Sequence, residues 1–166
     1  MSLRLAVYGA LGGLNGAGCM SVLRLAARRA GLIERMAPQV VEDWAISRTG
    51  LEPPGGAAGR HVADHILHLV VGVLAGAGYG AVARASRTPS LPTGALFGVV
   101  VWATAFGLVA PALGITRPIW RQRLGENIVN ATAHALFGIA TALTTEELAG
   151  QLRRGTSAWH YRMRVG

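Results

Sequence analysis

Four apolar segments, each of about 20 residues, dominate the sequence. A helix of that length crosses a hydrocarbon core of about 30 Å at about 1.5 Å per residue. Because this core holds no water for backbone N–H and C=O groups, such segments span it as helices. The pattern predicts an all-α integral membrane protein, a single-domain bundle of four transmembrane helices. The predicted spans are about 3–23, 62–83, 93–113 and 127–145.

The composition is also typical of a membrane protein. Hydrophobic residues make up 51% of the 166 residues and charged residues only 14%, and the mean hydropathy is +0.38. All 16 basic residues are arginine, with Ala, Gly and Leu abundant. This bias indicates a bacterial genome of high G+C content, and we expect the protein in the inner (plasma) membrane.

The segments outside the spans indicate contact with the membrane surface. The longest, 24–60, begins with arginines interleaved with Leu, Ile and Met around Trp44, which favours an interfacial helix. Its second half is rich in Pro and Gly and predicts a loop. The basic tail, 146–166, carries aromatic residues between arginines and favours anionic lipid headgroups.

The charge distribution excludes one class of partner and favours one orientation. The net charge of +8 comes from arginines in the gaps between apolar runs, which indicates membrane flanks and no nucleic-acid-binding face. Four crossings place both termini on one side. The acid-bearing connection at 24–60 is typical of a translocated segment, which favours both termini in the cytoplasm.

Glycines recur at every fourth position in three of the spans. This small-xxx-small spacing lets helix backbones approach closely in lipid, so we expect tight packing that turns polar residues inward. A homo-oligomer or a larger membrane complex remains open. The pairs are Gly9 with Gly13, Gly12 with Gly16, Gly72 with Gly76, Gly76 with Gly80, and Gly94 with Gly98.

Ionisable residues form one stripe at the start of the second span. At about 100° per residue they fall within about 100° of arc. Ionisable groups in a bilayer-length helix face a cavity or a partner, so the stripe predicts a site. Its members are His61, Asp64, His65 and His68, and Gly72, Gly76 and Tyr79 continue it.

The fourth span carries a matching polar stripe, made of Glu126, Asn130 and His134 with Asn127 at its border. The second and fourth helices run in the same direction in an up-down bundle. His68 and His134 then lie at a similar depth of about 12 Å. We expect a half-buried pocket between these two helices, open towards the side that carries Arg117.

Part of the chain resembles a known family. The stretch APALGITRPIW, then GENIVNATAHALFG, following His68 and Tyr79, is similar to the YagU-like inner-membrane protein family over roughly 60–145. The most specific element is a PxxGxTxPxW turn from Pro111 to Trp120, followed by Glu-Asn and a histidine seven residues later.

The resemblance implies a small multi-helix inner-membrane protein with no firmly assigned activity. It supports His68, Glu126 and His134 as site residues. Family members often have a second proline where Arg117 stands and an acid where Asn130 stands. His61 and His65 have no counterpart in the family.

One interpretation of the pocket is a metal site. Neutral imidazoles with carboxylates suit zinc, iron or manganese, and the HxxxH and HxxH spacings place ligands on one helical face. The candidate ligands of a divalent transition metal are His65, His68 and His134, with Asp64 or Glu126.

Three other interpretations stay open. Haem ligation by His68 and His134 needs space for the macrocycle between the two helices, whereas the glycine spacings predict that the helices pack closely. The sequence also has no CxxCH motif, so haem is disfavoured. Histidines beside carboxylates also form proton relays or gated polar pockets. Finally, Asp64 with His68, and Glu126 with His134, could simply hydrogen-bond between helices.

These patterns favour a binding protein over an enzyme. The sequence has no nucleophile elbow, phosphate-binding glycine loop or CxxC pair, so a conventional soluble-type enzyme is not expected. We expect a small polytopic membrane protein whose pocket binds an ion, a metal or protons, with a role in stress or pH homeostasis. The alternative is a non-catalytic scaffold or subunit of a larger membrane complex.

Overall fold

The computed structural model describes residues 2–33, 37–82 and 90–165, with side chains for 3–33, 39–82 and 91–150. No strand occurs in these ranges. The α-helices are α1 Ser2–Arg29, α2 Ala37–Thr49, α3 Gly56–Val82, α4 Ser90–Trp102, α5 Ala110–Ala112 and α6 Leu124–Val165. A π-helical segment, Ala103–Val109, joins α4 to α5, and a 3-10 turn, Ile119–Arg121, precedes α6.

Four helices are long and apolar enough to cross a membrane, which confirms the predicted all-helical class and the number of apolar helices. They are Leu3–Arg29, Gly56–Val82, Leu91–Ala112 and Leu124–Gly150. The first of these helices ends in polar sequence and the second begins in it, because helical backbone hydrogen bonding continues past each apolar run. The residues 56–60, predicted as loop, are therefore the first turn of α3.

The connection between the first two spans differs from the predicted one. Gly31 adopts a left-handed conformation with φ 71°. The N–H groups of Gly31 and Leu32 donate to the carbonyls of Arg28 and Ala27, at 3.0 and 2.9 Å. This glycine-based C-cap ends α1, so the segment predicted as an interfacial helix contains a separate element, α2. The predicted turn between the second and third spans lies mostly in 83–89, outside the described residues.

Helix α1 lies at the centre of the bundle. It packs against both α3 and α6, and the third span packs on a neighbouring face of α6. Helices α3 and α6 make little direct contact. The two polar helices, expected to face each other directly, are therefore separated along much of their length by α1.

Glycines set these close approaches. A Cβ atom on Gly13 would overlap the main-chain carbonyl of Gly72 in α3, and one on Gly16 would lie against Phe137 in α6. Helix α1 thus has one glycine face for each neighbour. Apolar residues fill the centre between them, including Ala17, Met20, Ala133 and Phe137.

Candidate functional site

An apolar cavity of about 550 Å³ lies between α3 and the third span. Helix α3 packs on α1 and the third span packs on α6, and the two have few contacts with each other, which leaves space between them. We name it the α3/α4 cavity; among its lining residues are Leu67, Val71, Val100, Val101, Val109 and Phe137.

Aromatic rings bound the α3/α4 cavity at its inner end. Tyr79 of α3 and Phe97 of α4 meet with ring centroids 4.9 Å apart, and Phe97 lies 6.1 Å from Phe137. Tyr79 follows the last cavity residue on α3, Ala75, by one helical turn. Tyr79, expected on the polar stripe, therefore packs its ring beside this end of the cavity, while its side chain hydrogen-bonds to Thr93.

Both central histidines line the α3/α4 cavity. His68 Nε2–H donates to the Ala17 carbonyl at 3.3 Å, and His134 Nδ1–H donates to the Asn130 carbonyl at 2.7 Å. Phe106 from the π-helical segment meets His134 edge to face, with ring centroids 5.8 Å apart. Since a carbonyl oxygen only accepts hydrogen bonds, the proton lies on His68 Nε2 and on His134 Nδ1. The second nitrogen of each ring is not used in these two hydrogen bonds.

The third ionisable residue at this cavity is Arg24, which the sequence patterns assigned only to a membrane flank. Its side chain is 3% exposed. Its Nε is buried and has no hydrogen-bond partner among the residues that the structure describes. Arg24 is close enough to both His68 and His134 to interact with them electrostatically.

A signal for Arg24 was present in the sequence. Ala17, Met20, Arg24 and Ala27 recur at helical spacing, and all four are buried. A face that carries Ala17 and Met20 into the bundle also carries Arg24 there. The burial of Arg24 was not predicted because Arg24 follows an apolar run, and arginines at such positions usually flank a membrane.

A second cavity, of about 600 Å³, adjoins Arg24; we name it the arginine cavity. It is lined by Arg24, Arg117, Arg121 and Arg123, with Glu126 and Asn130. Among the described residues that line it, four arginines face one carboxylate, which makes this part of the cavity basic.

The loop before α6 builds the wall of the arginine cavity. Gly114, with φ 71°, turns the chain after α5. Asn127 Nδ2 donates to the Ile119 carbonyl at 2.6 Å, and Gln122 donates to the Arg117 carbonyl. Asn127, expected in the pocket, thus fixes the loop that carries the arginines.

A third cavity, of about 200 Å³, lies at the start of α3; we name it the carboxyl cavity. His61, Asp64, His65 and His68 line it together with Arg24 and Arg28. Asp64 is 8% exposed, whereas His61 and His65 are exposed.

Asp64 has a carboxyl partner that sequence patterns missed. The Asp64 carboxyl group interacts with that of Glu42 in α2. One oxygen of each group, Asp64 Oδ1 and Glu42 Oε1, is nevertheless buried and has no hydrogen-bond partner among the described residues. Two carboxyl groups hydrogen-bond to each other only when one carries a proton. Arg60 neutralises part of this charge, because its Nε lies 3.5 Å from Glu42 and it also pairs with Asp43.

The predicted metal ligands are distributed over these three cavities. Asp64 and His65 lie at the carboxyl cavity, His134 at the α3/α4 cavity, and Glu126 at the arginine cavity. His68 lines two of them. Among the described residues, no group of three His, Cys, Asp or Glu side chains could hold a metal ion. The metal site stays a prediction from the sequence.

Helix α2 covers all three cavities. Val41 lines the α3/α4 cavity, Val40 the arginine cavity and Gln39 the carboxyl cavity. Arg24 is the one described residue that lines all three, so the buried guanidinium and α2 mark the place where the cavities meet.

Comparison with known proteins assigns no family to this arrangement. No family model matches the chain, and no curated protein or solved structure matches it either. The resemblance to the YagU-like family stays a prediction.

Proposed function

We propose that this protein is an integral membrane protein that binds a lipid-like ligand in the α3/α4 cavity. The four long apolar helices support the membrane location. Large apolar side chains cover their outer faces, for example Leu74, Leu96 and Leu108, which are 66%, 64% and 66% exposed. An apolar surface of this extent requires a lipid environment.

The α3/α4 cavity is the observation that carries the proposal. Its volume of about 550 Å³ lies within the range of small-molecule sites, roughly 300–1,000 Å³. Its walls are almost entirely apolar, and α3 and the third span do not pack against each other along it. A ligand dissolved in the bilayer therefore reaches it laterally between these helices.

The cavity favours an apolar or anionic ligand over a metal cation. Arg24 is permanently charged, and like charges repel strongly in a low-dielectric interior. No carboxylate is present among the described residues that line this cavity. We therefore expect equal zinc binding by the wild type and by the His68→Ala and His134→Ala variants. Stoichiometric zinc in the wild type, lost in both variants, would restore the metal interpretation.

Native mass spectrometry of the detergent-purified protein with dioleoylglycerol, an uncharged lipid, tests the cavity. Val101 lines the cavity, and Val99 of the same helix does not. We expect V101W to fill the cavity and weaken lipid binding at least tenfold, while V99W binds like the wild type. Thermal unfolding of both variants checks that they fold.

Two results would contradict the proposal: V101W that binds the lipid as well as V99W does, or a wild type that retains neither an uncharged nor a charged lipid. Either result would leave the scaffold or subunit interpretation, in which the cavity is a gap in helix packing.

We further propose that the protein lies in the bacterial inner membrane with both termini in the cytoplasm. The connection that contains α2 carries Glu42, Asp43 and Glu52 and is the translocated one. Labelling of E52C, in a C19S background, with a membrane-impermeant maleimide on intact spheroplasts tests this. Labelling of E52C only after the membrane is permeabilised would reverse the orientation.

A further inference from the structure

Arg24 is a buried cation with no paired carboxylate among the residues that the structure describes. It is 3% exposed, and its Nε has no hydrogen-bond partner among the described residues. Asp64 and Glu126 line cavities together with Arg24, but no ion pair joins either of these described acids to Arg24. Burying an uncompensated charge is costly, so this position favours an anionic group from a ligand.

The depth of Arg24 corresponds to the headgroup end of a lipid. It lies about 7.5 Å along α1 from Arg29, the last residue of that helix. The α3/α4 cavity runs inward from this point, over about 10 Å of α3 from His68 to Ala75. A charged end beside Arg24 and an apolar end beside Phe137 match the two parts of a lipid molecule.

The arginine cavity continues from Arg24 towards the outside of the bundle. Arg117 and Arg121 line it beside Arg24, and their positive potential attracts anionic headgroups. The guanidinium group also matches a phosphate in geometry, since it donates two parallel hydrogen bonds to it. An uncharged lipid would fill the apolar part and leave Arg24 without a counter-charge.

From this arrangement we infer that the ligand is an anionic lipid of the surrounding bilayer. One acyl chain occupies the α3/α4 cavity, the other chain stays in the bilayer, and the phosphate lies at Arg24. The lateral opening of the cavity between α3 and the third span makes the bilayer the source. The inference rests on the proposed function, because it names the lipid class of the same cavity.

Binding of two lipids with the same acyl chains isolates the effect of the headgroup charge. Native mass spectrometry compares dioleoylphosphatidylglycerol, which is anionic, with dioleoylglycerol, which is uncharged. We expect the wild type to prefer the anionic lipid at least tenfold. R24M, which replaces the cation by an apolar side chain of similar length, is expected to bind both lipids equally.

The matched control is R29M. Arg29 is an exposed arginine on the same helix, and it lines none of the three cavities. We expect R29M to keep the full preference for the anionic lipid. If R29M and R24M lose the preference equally, the effect is one of surface charge, and the assignment to Arg24 is wrong.

A second measurement needs no variant, in case R24M does not fold. At about 0.5 M salt the Debye length falls to roughly 4 Å, which screens surface charges much more than buried ones. We expect the wild-type preference for the anionic lipid to persist there. Loss of the preference in high salt overturns the inference.

The outcomes also separate the inference from the proposed function. Equal binding of both lipids by the wild type and R24M overturns the anionic headgroup and leaves a lipid-binding cavity. Absence of binding for both lipids overturns both.

Discussion

Gly98 in α4 lies against the main-chain carbonyl of His134 in α6, so closely that a Cβ atom on Gly98 would overlap the carbonyl oxygen. His134 lines the α3/α4 cavity through its side chain. The backbone of His134 therefore packs against α4, while its imidazole faces the cavity. The cavity and the glycine packing are parts of one arrangement.

The first prediction concerns this contact. G98A is expected to destabilise the protein by about 1–3 kcal/mol, because the new methyl group forces α4 away from α6. G78A is the control, since Gly78 is helical and has nothing within 4 Å of the position of a Cβ. It is expected to leave stability unchanged or to raise it by up to about 1 kcal/mol through helix propensity. Thermal unfolding in detergent measures both, and equal losses would contradict the assignment of Gly98 as a contact glycine.

Helix content and apolar length were predictable from local sequence, because each depends on a single segment. The close contacts of Gly9, Gly13, Gly94 and Gly98 also followed from spacing alone. Which helices become neighbours did not follow, because periodicity defines a face and leaves its partner open. The neighbours depend on α1, whose two glycine pairs, Gly9 with Gly13 and Gly12 with Gly16, are offset by about 60° around the helix axis and contact α3 and α6 respectively.

The burial of Arg24 could not be predicted from local sequence either. An arginine after an apolar run is usually solvated, so the local rule placed it outside the membrane. Its burial depends on α2, the loop that carries Arg117, and the third span, which meet around it only in the folded chain. The contact between Glu42 and Asp64 is likewise a property of the docked α2, and no spacing within one helix reports it.

The second prediction concerns the hydrogen bond from Asn15 Nδ2 to Thr144 Oγ1, 2.9 Å long, between α1 and α6. Hydrogen bonds between membrane helices contribute about 0.6 kcal/mol on average and up to about 1.7. A double-mutant cycle with N15A and T144V is expected to give a coupling free energy in this range. Unfolding in detergent supplies the four free energies. Additive losses would show that the two side chains do not interact.

The third prediction concerns the Asp64–Glu42 pair. At neutral pH, D64N is expected to raise the free energy of unfolding by about 1–2 kcal/mol, because the amide donates to a buried oxygen that has no donor. The gain is expected to shrink at acidic pH, where a protonated carboxyl supplies the same hydrogen bond. Arg60, His61 and His65 also lie close to the pair and remain unchanged in this variant.

Glu52 provides the matched control for that prediction, since it is an exposed acid in the loop before α3. E52Q is expected to leave thermal unfolding unchanged at both pH values. If D64N destabilises the protein at neutral pH, the Asp64 carboxylate has a favourable partner, and the pair is not a source of strain.

The fourth prediction concerns the closed end of the α3/α4 cavity. Tyr79 and Phe97 meet there with ring centroids 4.9 Å apart, so they limit the length of acyl chain that the cavity accepts. Y79A removes one ring and extends the cavity inward. Each further buried methylene contributes about 0.8 kcal/mol, or about fourfold in affinity. We therefore expect Y79A to shift binding of phosphatidylglycerols towards longer chains, measured by native mass spectrometry across a chain-length series. Tyr8 lines none of the three cavities, so Y8A should keep the wild-type optimum; an unchanged optimum in Y79A would place the acyl chain elsewhere.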